Sequence, residues 1–277
     1  MTPSVRSTPS GISRQSPFRN TPIKAGTTTL SRSLLIPFSR PEILFVHPVK
    51  NEGAQECPGS VSFHVFQVTI TVAFIDGQNL YHSVRESFGY TYPNYDVKSL
   101  SQSICQKKNW ELTQVRFYTG VPDKGDDPFW NHFWMAKLRV LSWQKIHIFS
   151  RPLRYRNRVI KLPDGTEYSF LAGEEKGIDV RIAIDVIRMA HHNEYDVALL
   201  FSQDQDLSEV ASEIRTISHE QNRWIKVACA FPLSPTSRNR RGIEKTDWVL
   251  IDRATYDSCI DRRDYRLKDS QKVEKKP

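Results

Sequence analysis

The feature that most constrains this chain is a short apolar run, Val-Ala-Phe-Ile at residues 72–75, which stops at Asp76-Gly77. An apolar run that ends at a turn signal and gives way to a helical pattern is typical of a buried strand. A second such run, at residues 197–201, ends in Ser-Gln-Asp-Gln-Asp at residues 202–206. Parallel strands present their carboxyl ends at one edge of a sheet, where open α/β folds place their chemistry. The two runs therefore predict one acidic pocket.

The rest of the pattern predicts an α/β fold. From residue 66 onward strand-like and helix-like segments alternate, which predicts a three-layer fold with a mostly parallel central sheet. Asp96 and Asp127 are predicted helix N-caps, and Pro128 fits the first position of the second helix. Pro163-Asp164-Gly165, between two strand-like segments, predicts a β-hairpin insertion. The helix from Pro128 carries a face that we interpret as core or as a homodimer surface. That face contains Phe129, Trp130, Phe133, Trp134, Leu138 and Leu141.

The excess of positive charge lies in the tails. Residues 1–41 contain six Arg and Lys side chains and no acidic one, so they carry six of the formal +8. Residues 1–62, rich in Ser, Thr, Pro and Arg, are predicted to be a disordered tail, with an organellar transit peptide as the alternative. Residues 263–277 are a charged C-terminal tail, and the folded domain is predicted at residues 66–262. Basicity is thus no argument that the folded part binds nucleic acid.

The cysteines and the hydropathy favour a cytoplasmic protein. The four cysteines, at positions 57, 105, 229 and 259, are widely spaced and form no Cys-x-x-Cys pair, which predicts a reduced protein without zinc. No apolar run approaches the roughly 18 residues needed to span a bilayer, so no membrane partner is expected. We therefore expect a soluble, cytoplasmic protein.

A third carboxylate is predicted to join the pocket from a helix. In the helix that opens at Gly177, Asp179 shares a face with Ile182 and Val186, which points it toward the sheet rather than toward water. Converging carboxylates repel one another unless a cation neutralises them. Oxygen ligands without Cys or a His pair favour Mg²⁺ or Mn²⁺ over zinc. The reaction that this site favours is phosphodiester hydrolysis.

Each acidic residue taken alone has an ordinary alternative. Asp76 fits a simple turn after a strand, and Asp204 fits the N-cap of the helix that follows. Asp185, which has Arg181 four residues before it and Arg188 three residues after it, is interpreted as a helix-surface ion pair. An Asp-x-Asp pair after a strand also occurs in phosphatases with an aspartyl nucleophile. Those enzymes place the pair after the first strand, where this chain has only Asp76.

Three segments together resemble the signature blocks of the NYN domain family, within the PIN-like nuclease superfamily. They are Phe-Ile-Asp-Gly-Gln-Asn-Leu at residues 74–80, Lys-Gly-Ile-Asp-Val at 176–180 and Leu-Phe-Ser-Gln-Asp-Gln-Asp-Leu at 200–207. They occur in the family's order, and the resemblance covers about residues 72–251. It implies a Rossmann-like PIN fold and an RNase site that depends on Mg²⁺ or Mn²⁺.

The resemblance also implies roles for single residues. Asp76, Asp179 and Asp204 would hold the metal, and Asp206 would orient the attacking water or bind a second ion. Asn79 would hydrogen-bond the scissile phosphate or a metal-bound water, and its alternative role is to cap the helix after Gly77.

One departure from the family pattern concerns access to the metal. The last block usually reads Ser-Gly-Asp-Ser-Asp, and here Gln203 and Gln205 replace the small residues. These bulkier side chains are expected to narrow the approach to the metal. The alternative function is therefore a noncatalytic RNA-binding or regulatory module on the same fold.

The predicted hairpin is the candidate RNA-binding element. Arg154, Arg156 and Arg158 share one face of a strand, and Tyr155 lies on the other. Such a row of cations suits a single-stranded RNA backbone, and Lys176 is a further candidate phosphate contact. The alternatives are a solvated edge strand and a solvated lysine. A second basic patch is predicted in a loop, at Arg238, Arg240 and Arg241.

Overall fold

A computed structural model describes residues 68–266. The tail predicted at residues 1–62 and most of the C-terminal tail, from residue 267 on, lie outside the described residues. The chain forms strands β1 (Ile70–Asp76), β2 (Glu111–Val121), β3 (His147–Pro152), β4 (Arg154–Lys161), β5 (Glu167–Glu174), β6 (Val197–Phe201), β7 (Lys226–Pro232) and β8 (Asp247–Ile251). Six of them form a parallel sheet in the order β3-β2-β1-β6-β7-β8, and β4 and β5 form a separate antiparallel hairpin.

Helices connect the strands and begin where the sequence offers caps. They are α1 (Gly77–Phe88), α2 (Val97–Lys107), α3 (Pro128–Trp143), α4 (Ile178–His191), α5 (Ser208–Glu220) and α6 (Arg253–Asp257), with a 3-10 turn at Gln205–Leu207. Asp96 accepts hydrogen bonds from the Lys98 and Ser99 N–H groups at 2.9 Å. Asp127 accepts one from the Trp130 N–H at 3.1 Å. Both predicted N-caps are therefore confirmed.

Helices cover both faces of the sheet. In β1, Ala73 and Ile75 pack into one hydrophobic cluster, and Val72 and Phe74 pack into another. The first cluster also contains buried residues of α1, α2, α3 and α6, and the second contains those of α4 and α5. This alternation confirms the three-layer α/β prediction.

The aromatic face of α3 is mostly core. Phe133, Trp134, Leu138 and Leu141 are buried, whereas Phe129 remains exposed. The core interpretation is confirmed for these four residues. A homodimer surface on α3 stays a prediction.

Strand β2 begins at Glu111, which pairs with Ile70 of β1 although its side chain is polar and exposed. One sequence expectation needs correction. Asp185 is not a surface residue: it is fully buried, 3.0 Å from Arg116 and 3.0 Å from Arg181. Arg116 comes from β2, so local spacing along α4 gave no sign of it.

The order of the strands defines where a ligand can bind. After β1 the chain adds β2 and β3 on one side, and β6 then pairs with the other side of β1. Helices that leave β1 and β6 therefore diverge, and a crevice opens between the carboxyl ends of these two strands. Asp76 ends β1, and residues 202–206 follow β6.

Two further observations concern the described part of the chain. Cys105, Cys229 and Cys259 are buried free thiols. Between residues 68 and 266, no helix combines the length and the apolar character required to cross a bilayer.

Candidate active site

Asp76 lies buried at the end of β1 and caps α1. Its Oδ1 accepts a hydrogen bond from the Asn79 N–H at 3.0 Å. The chain can turn directly into the helix because residue 77 is glycine: a Cβ there would lie 2.5 Å from the Phe117 ring and 3.1 Å from the Tyr118 carbonyl oxygen. Burial, together with the nearby carboxylates of Asp204 and Asp179, raises the pKa of Asp76 from 3.8 to about 6.

Asn79 joins α1 to the end of β6. Its Oδ1 accepts a hydrogen bond from the Gln203 N–H at 2.9 Å. The alternative that Asn79 caps the helix after Gly77 is wrong, because Asp76 is the cap. That bond fixes the orientation of the amide and leaves its Nδ2 donor able to bind a ligand.

Three aspartates converge beside Asp76. Asp179, Asp204 and Asp206 each place a carboxylate oxygen within 4.8 Å of the other two. Asp179 stands in the first turn of α4, after Gly177, whose φ of 73° lies in the left-handed region that glycine tolerates. Asp204 is also the N-cap of the 3-10 turn after β6, as the alternative interpretation expected: it accepts a hydrogen bond from the Asp206 N–H at 3.0 Å.

Glu175 is a further member of the acidic site that sequence reasoning missed. It lies between the hairpin and α4, and it accepts a hydrogen bond from the Gly120 N–H at the end of β2. Burial, followed by the Asp76 carboxylate, raises the pKa of Glu175 to about 8. Its one sequence signal is its position directly after a strand, the same position that singled out Asp76 and Asp204.

A cavity of about 310 Å³, which we call the acidic cavity, lies in the crevice between β1 and β6 and is lined by Asp76, Asn79, Glu175 and Asp204 of these groups. Asp179 and Asp206 lie beside it, next to Asp204. The lining residues of the cavity are Asp76, Gln78, Asn79, His82, Leu153, Gly173, Glu175 and Asp204. The acidic cavity therefore takes side chains from β1, α1, the hairpin and the segment after β6. The carboxylates in and beside this cavity are suited to a hard cation such as Mg²⁺ or Mn²⁺, since the converging ligand atoms of Asp179, Asp204 and Asp206 are all oxygens.

Comparison with known families decides the relationship of this chain. The NYN domain family matches residues 71–225, which is more than half of the chain. The chain belongs to the NYN domain family. This family lies within the PIN-like nuclease superfamily, and its members are generally nucleases. The fold and the cluster of aspartates agree with that assignment.

Comparison with individual proteins adds no functional assignment to that of the family. No curated protein matches the chain. It is similar to the solved structure of a protein of unknown function from Vibrio parahaemolyticus, with 20% identity, a TM-score of 0.42 and coverage of 67% of this chain and 94% of that chain. It is also similar to ribokinase from Giardia lamblia, with 10% identity, a TM-score of 0.29 and coverage of 62% and 53%. Neither structure is similar enough to assign a function to this NYN domain.

The glutamines that depart from the NYN pattern turn away from the acidic cavity. The Gln203 side chain is buried, and its Nε2 donates to the Arg241 carbonyl oxygen at 2.9 Å. The Gln205 Nε2 donates to the Gly242 carbonyl oxygen at 3.0 Å, and its Oε1 accepts from the Glu244 N–H at 3.1 Å. Both glutamines thus hold the loop before β8, so the side chains expected to narrow the approach to the metal instead fix a neighbouring segment.

That loop carries the second predicted basic patch. Arg238, Arg240 and Arg241 are all exposed. Glu86 of α1 accepts from the Asn239 N–H at 3.0 Å, which ties the loop to the helix that bears Asn79. Arg241 forms an ion pair with Glu244 at 2.7 Å.

The hairpin of the NYN domain has two different faces. The pairing of Arg154 with Glu174 places Arg154, Arg156 and Arg158 on the same face as Glu174. Glu174 lies 2.8 Å from Arg158 and 3.7 Å from Arg156, so one carboxylate partly neutralises the row. Tyr168 and Phe170 stack on this same face, with ring centroids 6.2 Å apart. Tyr155 lies on the opposite face, where its hydroxyl accepts a hydrogen bond from the Asp123 N–H at 3.1 Å.

Proposed function

We propose that this NYN domain is a divalent-metal-dependent ribonuclease that hydrolyses phosphodiester bonds of single-stranded RNA. The observation that carries the proposal is the convergence of Asp179, Asp204 and Asp206 within 4.8 Å at the crevice beside β1. Asp76 and Glu175 add two more carboxylates to the same place. Such a concentration of like charge is unfavourable without a cation, and metal-assisted phosphodiester hydrolysis makes direct use of one.

The carboxylates would hold Mg²⁺ or Mn²⁺. Asp179, Asp204 and Asp206 form the converging set, and Asp76 approaches from β1. Bound there, such an ion lowers the pKa of a water and stabilises charge on the phosphoryl oxygens. Asp206 is exposed at the opening, where its carboxylate can orient the attacking water.

Asn79 and the basic residues would position the substrate. Since the Asn79 Oδ1 accepts from Gln203, its Nδ2 is the group that can donate to a ligand acceptor, and a phosphate oxygen is such an acceptor. Lys176 stands between the hairpin and the helix that bears Asp179, next to Glu175 of the acidic cavity. The row of Arg154, Arg156 and Arg158 would bind the RNA backbone farther from the bond that is cut.

Cleavage of end-labelled single-stranded RNA in Mn²⁺, Mg²⁺ or EDTA tests the proposal. We expect cleavage in the presence of either metal and none in EDTA. Asp76→Asn and Asp204→Asn each remove a carboxylate charge from the site, so each is expected to reduce the cleavage rate by at least about 100-fold. The pattern of labelled products also distinguishes endonucleolytic from exonucleolytic cutting.

Glu213→Gln is the matched control, because Glu213 is an exposed carboxylate on α5, away from the acidic cavity. It should cleave RNA at the wild-type rate. If the wild-type protein binds RNA and leaves it intact in every metal, the ribonuclease proposal fails and a noncatalytic RNA-binding module takes its place.

A further inference from the structure

A second and larger cavity adjoins the acidic one. It has a volume of about 580 Å³ and lies between α1, the start of α3 and the hairpin. Its lining residues are Gln78, Tyr81, Arg85, Thr91, Pro122, Asp126, Asp127, Trp130, Trp134, Leu153, Tyr155 and Gly173. We call it the aromatic cavity, since four of its residues are tyrosine or tryptophan.

The two cavities share a boundary. Gln78, Leu153 and Gly173 line both of them. The same helix supplies both walls: Asn79 of α1 faces the acidic cavity and Tyr81 faces the aromatic one. A ligand that lies over the carboxylates can therefore extend past Gln78 into the aromatic cavity without crossing the protein.

The aromatic side chains are held by contacts at their edges. The Tyr81 hydroxyl donates to the Thr91 carbonyl oxygen at 2.9 Å, and the Tyr155 hydroxyl accepts from the Asp123 N–H at 3.1 Å. The centroids of the Tyr81 and Trp130 rings lie 6.0 Å apart, at an interplanar angle of 53°. Trp130 is only half-buried. The centroid of its ring also lies 5.2 Å from that of Phe133, and the part of the ring that lines the cavity offers a planar ligand a surface on which to stack.

The charges of the aromatic cavity argue against a phosphate group as the occupant. Asp126 and Asp127 line it together with one cation, Arg85. Carboxylates repel phosphate but accept hydrogen bonds from the amino and ring N–H groups of nucleobases. Stacking faces combined with carboxylate acceptors are the chemistry that recognises a base.

We propose that the aromatic cavity takes one unstacked nucleobase of the RNA and thereby sets which phosphate lies over the carboxylates. This rests on the proposed ribonuclease function, and it makes Trp130 a substrate-binding residue. Stacking of one base on an aromatic side chain is worth about 1–3 kcal/mol, which corresponds to about a 5- to 150-fold effect on affinity.

The test combines Trp130→Ala with RNAs in which a single abasic nucleotide is placed at each position in turn. With the wild-type protein, the abasic nucleotide should reduce kcat/KM by about 10-fold or more at one position near the cleaved bond and much less elsewhere. Trp130→Ala should cleave the intact RNA and the RNA that is abasic at that position at similar, reduced rates, because the stacking partner of the base is already gone.

Two variants separate this effect from damage to the fold. Trp143→Ala changes a tryptophan of the same helix that is 75% exposed, and it should keep the wild-type abasic profile. Trp130→Phe retains a stacking face and should restore most of the position-specific effect. The proposal is overturned if the kcat/KM of the wild-type protein is the same wherever the abasic nucleotide is placed. It is also overturned if Trp130→Ala lowers kcat/KM by the same factor for the intact RNA and for every abasic RNA.

The same series measured as binding distinguishes failure of this proposal from failure of the ribonuclease proposal. Asp204→Asn protein in Mg²⁺ serves for equilibrium binding of the intact and abasic RNAs. A position-specific loss of affinity that disappears in the Trp130→Ala background supports the base site even when no RNA is cut. If the protein cuts RNA in a metal-dependent way but its affinity falls at no particular abasic position, the base site is rejected and the ribonuclease proposal is unaffected.

Discussion

At the scale of single residues, the buried carboxyl group of Asp76 lowers the stability of the fold near neutral pH. Its folded pKa of about 6 lies above its ordinary value of 3.8, mainly because it is buried. A raised pKa means that the folded state binds this proton more tightly than the unfolded state does. Protonation of Asp76 therefore stabilises the folded state. This stabilisation is complete below pH 3.8 and is lost as the pH rises toward 6. Near neutral pH and without metal, an ionised Asp76 therefore costs on the order of 3 kcal/mol.

Replacing this residue should therefore stabilise the metal-free protein while it reduces the proposed RNA cleavage by at least about 100-fold. Asp76→Asn keeps an Oδ1 that accepts the Asn79 N–H, but it carries no charge. In EDTA near pH 7, we expect its free energy of unfolding in urea to exceed that of the wild type by about 1–3 kcal/mol. The difference should shrink as the pH is lowered through about 5. If Asp76→Asn is no more stable than the wild type near pH 7, burial does not destabilise the Asp76 carboxylate and the prediction is wrong.

At the scale of secondary-structure elements, the hairpin is the part whose proposed role in RNA binding depends on charge rather than on packing. Arg156 and Arg158 share Glu174, so Arg154 is the member of the row for which no ion pair with Glu174 is seen in the described structure. An RNA phosphate bound at this face would compete with Glu174 for Arg156 and Arg158. Binding of RNA at this face should therefore depend on salt, because each phosphate that an arginine neutralises releases counterions.

Reversing two charges of the row tests this role. Arg154→Glu combined with Arg156→Glu should weaken RNA binding and reduce the slope of log affinity against log salt by about 1.4, or about 0.7 for each phosphate that is no longer neutralised. Arg139→Glu combined with Arg188→Glu, which changes two exposed arginines on α3 and α4, is the control of equal charge. Equal slopes for the two double variants would mean that the hairpin row is merely solvated.

At the scale of the whole molecule, the sequence predicted the sheet and three of the residues that line the acidic cavity, Asp76, Asn79 and Asp204. The strands that end at Asp76 and before Asp204 are continuous apolar runs, so their pattern predicts burial without knowledge of partners. Glu175 was missed because its hydrogen-bond donor, the Gly120 N–H, is 55 residues away in the sequence. The contacts of Gln203 were missed for the same reason, since they reach a loop beyond β7. Local periodicity predicts elements, and only the assembled fold brings such distant groups together.

Because the carboxylates come from β1, α4 and the segment after β6, a bound cation should stabilise the whole domain. Mn²⁺ at about 100 times its Kd adds about 2.7 kcal/mol to the free energy of unfolding, which raises the Tm of a domain of this size by about 5–10 °C. Asp204→Asn should lose most of this shift, and Glu213→Gln should keep it. The shift should also weaken as the pH falls below about 6, since Asp76 then takes up a proton and loses its charge. Thermal unfolding monitored by circular dichroism measures these effects. An equal Mn²⁺ shift in Asp204→Asn would place the cation outside the acidic cavity, and the metal-binding role assigned to these aspartates would then be wrong.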